Sequence, residues 1–300
     1  MSFKPVSRPV AGLSALAADY DVILSDVWGV VHDGRTHTPS AADALTRFRQ
    51  KGGTVVLITN APRPRAPIMK MLDDFGLPRA AYDSIVSSGD VTVDLICARG
   101  LAPLHHIGPP RDLSLFDTVA ARIGEKPPLL PLAQADYVVC TGLFDDYGDP
   151  EPYQPTLVAM KERDLPLICA NPDIVVHVGD DLLWCAGALA ERYEGLGGRV
   201  VMAGKPHAVI YEAALKEAER IRGKSVDRAK ILAVGDGLFT DIRGAAAQGF
   251  DALFVTSGIH RDVLHPAGDV DDWSVDEAAY RNLLAEVGAA PAAHLRELVW

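Results

Sequence analysis

The sequence predicts an α/β protein: a doubly wound, Rossmann-like parallel-sheet core with a second α/β unit inserted into it. Three observations predict this. Short apolar runs of strand length recur at Val22-Ile23-Leu24, Val55-Val56-Leu57-Ile58, Ile231-Leu232-Ala233-Val234 and Leu253-Phe254-Val255, as strands covered on both faces require. Helical segments alternate with them, the grammar of a parallel sheet. Between about Ser84 and Glu194 the pattern changes, with strand candidates at 104–107, 137–140 and 167–170 set apart by Pro127-Pro128, Pro131, Pro150, Pro152 and Pro155. The expected division is therefore 1–83 and 195–300 for the core and 84–194 for the insertion, and 300 residues suit two domains.

Taken in order, the first run ends in Ser25-Asp26. A helix is expected from Ser40, with Ser40 and Asp43 as a capping box, Leu45 and Phe48 on its inner face and Gly52-Gly53 as its stop. The second run delivers Thr59-Asn60. Pro206 suits the first position of a helix running to about Arg222, which sets Lys205 near that helix's positive end, a place that favours an anion. The third run leads into Gly235-Asp236-Gly237 and a helix through Ile242 and Ala247. A last helix is expected to start at Ser274, with Glu277 in its cap, to turn Leu283, Leu284 and Val287 inward, and to end at Gly288.

Lys and Arg number 29 against 40 Asp and Glu, a formal charge of −11 that repels nucleic-acid backbone and anionic lipid. No run approaches the ~18 apolar residues of a membrane span. Cys97, Cys140, Cys169 and Cys185 are far apart, without zinc-type spacing, and read as small core hydrophobes of a reducing compartment. Lys4 and Arg8 precede an Ala-rich stretch, but Pro9, Gly12 and Ser14 interrupt it, so the expected location is cytoplasmic.

Asp26, Thr59 and Asp236 each follow a buried run and Asp241 lies just beyond, so all four are expected at one crevice along the carboxyl ends of the strands. An Asp after a strand commonly serves only as a turn former or helix cap, but several together carry a different meaning. Two carboxylates ~4 Å apart repel by ~4 kcal/mol at an effective dielectric near 20, so a cluster calls for a cation. Oxygen donors without His or Cys favour Mg²⁺, completed by a substrate phosphate. Competing nucleotide signatures fail: Pro206 replaces the Ser/Thr of a P-loop, and Thr240 replaces the third glycine of a dinucleotide fingerprint. His260 and His265 are too loosely spaced for a helical metal pair.

Nearly the whole chain resembles the haloacid dehalogenase superfamily, in particular its class IIA, NagD-like members with a C2-type cap. The resemblance is carried by Val22-Ile23-Leu24-Ser25-Asp26-Val27-Trp28-Gly29-Val30, Ile58-Thr59-Asn60, Gly204-Lys205-Pro206 and Gly235-Asp236-Gly237-Leu238-Phe239-Thr240-Asp241-Ile242, in that order, with Asn171-Pro172-Asp173 resembling a cap segment. It implies that Asp26 is a nucleophile forming an aspartyl-phosphate. It also implies that Asp26, Asp236 and the Trp28 carbonyl hold Mg²⁺, with Asp241 acting through a water. Thr59 and Lys205 would bind phosphoryl oxygens, and Lys205 would keep Asp26 charged.

One position departs from the pattern. Phosphatases of this family carry a second aspartate two residues after the nucleophile, as acid and base, and here that residue is Trp28, whose N–H cannot shuttle protons near neutral pH. General acid–base help is worth roughly 10²–10⁴-fold. His32 and Asp33 follow in the same loop, and Arg63 and Arg65, beyond Asn60, are candidates to meet a substrate anion. Dehalogenases also lack that aspartate, but they do not need the metal form of the fourth motif kept here. The expected function is Mg²⁺-dependent hydrolysis of a small organic phosphate ester, slowed by Trp28. The alternative is a phosphometabolite-binding or regulatory protein with little turnover.

Overall fold

The computed structural model describes residues 7–178, 181–266 and 274–300, so Lys4 lies outside them. Along the chain, β1 (Arg8–Pro9) precedes two 3-10 turns whose Leu13 and Leu16 are buried. Next come β2 (Val22–Asp26), α1 (Pro39–Gln50), β3 (Thr54–Thr59), α2 (Arg65–Asp74) and β4 (Ser84–Ser87). The middle of the chain holds α3 (Ser88–Cys97), β5 (Leu104–Ile107), α4 (Ser114–Ile123), β6 (Tyr137–Cys140), α5 (Gln154–Glu162), β7 (Leu167–Cys169), β8 (Val175–Val178), β9 (Asp181–Trp184), α6 (Ala186–Gly195) and β10 (Val200–Met202). The last stretch is α7 (Ala208–Arg222), β11 (Ile231–Gly235), α8 (Arg243–Gln248), β12 (Asp251–Val255), α9 (Arg261–Leu264), α10 (Glu277–Val287) and β13 (Ala293–Leu295).

Two compact units result. The first draws on Met1–Thr59, Met69–Val86 and Tyr211–Trp300, the second on Asn60–Ile68 and Ser87–Ile210. In the first, seven strands lie in the order β1-β13-β12-β11-β2-β3-β4, and the pairs from β1 to β3 are parallel. β2, β3 and β11 are buried along their whole lengths, which is why their sequences run continuously apolar instead of alternating. From β2 the chain goes on to β3 on one side, whereas β11 leads to β12 on the other. The strand order therefore reverses between β2 and β11, where a doubly wound sheet opens a crevice at its carboxyl edge.

The second unit is built on a four-stranded parallel sheet, β10-β7-β6-β5, beside an antiparallel hairpin of β8 and β9. Alternate residues of its strands feed two apolar layers. Val138, Cys140, Leu167 and Cys169 pack with Leu157, Met160, Leu189 and Tyr193, while Tyr137, Val139 and Ile168 pack with Ile96, Phe116 and Val119. Cys140, Cys169 and Cys185 are buried free thiols in the expected core role, and Cys97 is half-buried.

Four local expectations need correction. α1 begins at Pro39 rather than Ser40: Thr38 is its extended N-cap, Pro39 takes the first helical turn where it loses no hydrogen bond, and Asp43 pairs with Arg47 instead of closing a capping box. α10 begins at Glu277 because the Asp276 carboxylate accepts from the N–H groups of Ala278 and Ala279; Leu284 and Val287 are buried and Leu283 only partly so. Pro206 is not the first residue of a helix. It follows Lys205 through a cis peptide bond, and α7 starts two residues later, at Ala208. The segment after β11 opens as a π-turn, Leu238–Ile242, before α8.

One buried and one half-buried histidine make folding sensitive to acid. Desolvation lowers His32 in the first unit and His106 in the second to about 4. An imidazole that resists protonation only when folded contributes fully above its unfolded value near 6.5, and loses that contribution as pH falls from there toward 4, up to ~3 kcal/mol each. Urea midpoints should therefore hold above pH ~6.5 and decline below it, with His106→Gln flattening part of the decline. An unchanged pH profile in that variant would contradict the assignment.

Candidate active site

The crevice between β2 and β11 collects three carboxylates. Asp26 ends β2, Asp236 follows β11, and Asp241 is delivered by the π-turn, in which the N–H groups of both Asp241 and Ile242 donate to the Gly237 carbonyl at 2.8 and 3.1 Å. All three are buried, at 7, 7 and 2% exposure, and each offers an oxygen such that the three lie within 4.8 Å of one another. Each is oriented by a peptide N–H of the same edge: Val27 to Asp26 Oδ1 at 2.7 Å, Ile259 to Asp236 Oδ2 at 2.8 Å and Gly237 to Asp241 Oδ2 at 3.2 Å. The Thr240 hydroxyl also reaches Asp241 Oδ2, at 3.3 Å. Thr59 ends β3 one step beyond Ile58, the residue in register with Asp26, and is itself buried.

Glycines leave this cradle its room. A Cβ on Gly258 would lie 2.0 Å from Asp236 Oδ2, one on Gly29 (φ +78°) would lie 2.2 Å from the same atom, and one on Gly235 would lie 2.2 Å from Asp241 Cγ. Gly258 and the Ile259 N–H were not visible as site residues in the sequence; a glycine closing the loop after β12 is the signal that could have found them. Three oxygen donors of formal charge −3, desolvated and gathered so closely, suit one hard divalent cation of the Mg²⁺ class.

In the loop after Asp26, Trp28 is half-buried and meets His32 edge-on at 5.0 Å. His32 Nδ1 accepts from the Gly34 N–H at 2.9 Å, which puts the neutral ring's proton on Nε2. The exposed Asp33 carboxylate accepts from the N–H groups of Arg35 and Thr36 in its own turn. His260 Nε2 accepts from the Leu238 N–H at 3.3 Å, and His265 Nε2 meets the Thr256 hydroxyl at 3.0 Å.

The remaining candidates lie in the second unit, where Asn60 and Lys205 are brought together. The Asn60 amide grips the Lys205 backbone both ways, accepting from its N–H at 2.7 Å and donating to its carbonyl at 3.2 Å, and also donates to Asp173 at 2.8 Å. Gly204 is required beside it, since a Cβ there would lie 2.1 Å from Ser88 Oγ and 2.3 Å from Asn60 Oδ1. The motif residues 60, 171–173 and 204–205 thus form one block. Arg63 approaches Asp112 at 3.8 Å and Arg65 approaches Asp90 at 3.6 Å.

Comparison with known proteins agrees with this architecture. Residues 23–120 match a family described as haloacid dehalogenase-like hydrolase, and residues 202–282 a second, HAD-hydrolase-like family. A crystal structure of a haloacid dehalogenase-like family hydrolase from Brucella suis 1330 is 45% identical, covering 98% of this chain and 100% of that one, with a TM-score of 0.82. The D-glycerol 3-phosphate phosphatase of Mycobacterium tuberculosis is 28% identical over 251 residues, which are 83% of this chain and 66% of that relative. A glycerol phosphate phosphatase from the same organism, crystallised with magnesium, shares the fold at 23% identity and TM-score 0.62, over 84% of this chain and 73% of that one. Among the described residues no helix is long and apolar enough to cross a membrane.

The glycine cradle makes a direct prediction for metal binding. Gly258→Ala should displace Asp236 and weaken Mg²⁺ binding by about ten- to a hundredfold in calorimetric titration, with the far-ultraviolet circular dichroism retained. Equal affinity in the two proteins would mean that Asp236 does not hold the ion.

Proposed function

Because the chain belongs to the haloacid dehalogenase-like hydrolase family, we propose that it hydrolyses a small phosphate monoester through Asp26, with Mg²⁺ held by Asp26, Asp236, the Trp28 carbonyl and, through water, Asp241. The observation that carries the reading is the buried Asp26-Asp236-Asp241 cluster at the switch point of the sheet. When bound, the ion neutralises charge on these carboxylates and on the phosphoryl oxygens. Binding to phosphate esters is also in keeping with the relatives' names.

In the proposed reaction Asp26 attacks phosphorus. The Val27 N–H fixes Oδ1 and so orients the carboxylate. A bond forms between an Asp26 oxygen and phosphorus while the bond to the ester oxygen breaks, and the leaving group departs with that electron pair. Water then attacks the phosphorus of the aspartyl-phosphate, releasing phosphate and restoring Asp26. Thr59 and Lys205 are the proposed partners of the phosphoryl oxygens, on the strength of their motifs, with Asn60 positioning Lys205 through its backbone. The inserted segment, 84–194, is the proposed cap that selects the leaving group.

Proton transfer is the weak step. Trp28 has no group that ionises near neutral pH, His32 spends Nδ1 on the Gly34 N–H, and Asp33 caps its own turn. This observation favours a second reading, a phosphometabolite-binding or regulatory protein with little turnover. Phosphate release from a panel of monoesters with Mg²⁺ separates the two. Activity should appear and should fall by at least ~10³-fold in Asp26→Asn; saturable binding without Asp26-dependent release would leave only the binding protein. Trp28→Asp should accelerate alkyl phosphates more than nitrophenyl phosphate, by up to the ~10²–10⁴-fold that a general acid contributes. Equal gains, or none, would mean that another group already supplies the proton.

A further inference from the structure

At the carboxyl ends of β5 and β6, the second unit carries four charged side chains whose pairing is uneven. Arg111 is closely paired: its two terminal nitrogens clasp Asp146 at 2.6 and 2.5 Å. Its Nε stays 4.0 Å from Asp112 Oδ1. Arg63 reaches that same oxygen only at 3.8 Å, also through Nε, and makes no side-chain hydrogen bond among the described residues. Asp112 is 2% exposed, and its Oδ1 is buried with no hydrogen bond.

The Arg63–Asp112 pair has not closed to hydrogen-bond length, whereas Arg111 and Asp146 have done so alongside. Burial pushes the Asp112 carboxyl up, against the pull of Thr141, Arg111 and Arg63. The stem of Arg63, by contrast, is fixed. Ser87 Oγ donates to its carbonyl at 2.7 Å, the Gly89 N–H donates to the Ala61 carbonyl at 3.1 Å, and a Cβ on Gly89 would lie 2.3 Å from the Arg63 carbonyl carbon. A rigid backbone therefore presents a guanidinium that is 40% exposed and is steered through Nε by a buried carboxylate, with neither terminal nitrogen in a hydrogen bond among the described residues. Arg63 lies three positions beyond Asn60, the residue that grips Lys205, a span of at most ~11 Å along the chain.

We propose that Arg63, oriented by Asp112, recognises an oxyanion on the leaving group, so that the substrate class is a phosphate monoester carrying a second anionic group, a carboxylate or another phosphate. This rests on the phosphatase reading above and deepens it. The planar fork of an arginine suits either oxyanion, and one charge-assisted contact of this kind is worth roughly ten- to a hundredfold in affinity.

Calorimetric titration of the Asp26→Asn chain with Mg²⁺ present tests the site without turnover. Phosphoglycolate and fructose 1,6-bisphosphate supply the carboxylate and the phosphate, and glycerol 3-phosphate and fructose 6-phosphate are their neutral counterparts. In one arm the anionic ligand should bind about ten- to a hundredfold more tightly than its counterpart, and that arm identifies the oxyanion. Adding Arg63→Met should bring the ratio close to one, Arg63→Lys should keep part of it, and Asp112→Asn should lower it. No preference in either arm, or equal losses for charged and neutral ligands in Arg63→Met, would overturn the proposal. The preference found together with absent phosphate release by the unmodified chain would uphold the site and remove the hydrolase reading instead.

Discussion

The structure of the candidate site turns on mutual repulsion among three buried carboxylates. Two charges 4.8 Å apart, the outer spacing of this cluster, repel by ~3 kcal/mol at an effective dielectric near 20, and there are three such pairs. The fold keeps them together. Asp26 and Asp236 are attached to the central, wholly buried strands of a parallel sheet, so separating them would mean breaking the packing of β2 against β11. The three peptide donors, Val27, Gly237 and Ile259, add one oriented dipole to each carboxylate. A hard cation completes the same logic, since it turns the repulsion into binding energy.

The strands and the acidic residues were legible in the sequence for a common reason. A strand buried on both faces has to be apolar throughout, so a charged residue at its carboxyl end stands out against the run before it. Helix starts were less legible, because they are settled by competition between neighbouring caps. Thr38-Pro39 prevailed over Ser40, and Asp276 over Ser274, by geometry that composition does not record. The glycine cradle was hidden for a different reason. Gly29, Gly235 and Gly258 matter through what a missing Cβ allows in space, and Gly258 is brought to Asp236 from another strand loop. Likewise, Asn60 could be read as part of a motif, but its grip on the Lys205 backbone crosses 145 residues of chain.

The two glycine-dependent blocks share a design. In the first unit, glycines let side-chain carboxylates approach the backbone; in the second, Gly204 lets the Asn60 amide lie against the chain that carries Lys205. Each replaces side-chain bulk with polar contacts to peptide groups, and peptide groups do not change rotamer. A catalytic or binding group positioned in this way keeps its place without depending on a flexible neighbour.

Trp28 belongs to the same economy of fixed positions. Its loop is laced by the N–H groups of Val31 and His32 to the Val27 carbonyl, of Gly29 to the His32 carbonyl and of Thr38 to the Val31 carbonyl. Gly34, at φ +92°, packs so closely that a Cβ would lie 2.8 Å from the indole, and His32 wedges between Trp28 and Phe75. The indole is thus an integral wall of the loop and not an isolated replacement. In the proposed reaction such a wall cannot supply the ~3–5 kcal/mol of a general acid. That loss costs least when the departing oxygen is weakly basic or its charge is already accommodated. It costs most for a simple alkoxide, which cannot leave without a proton.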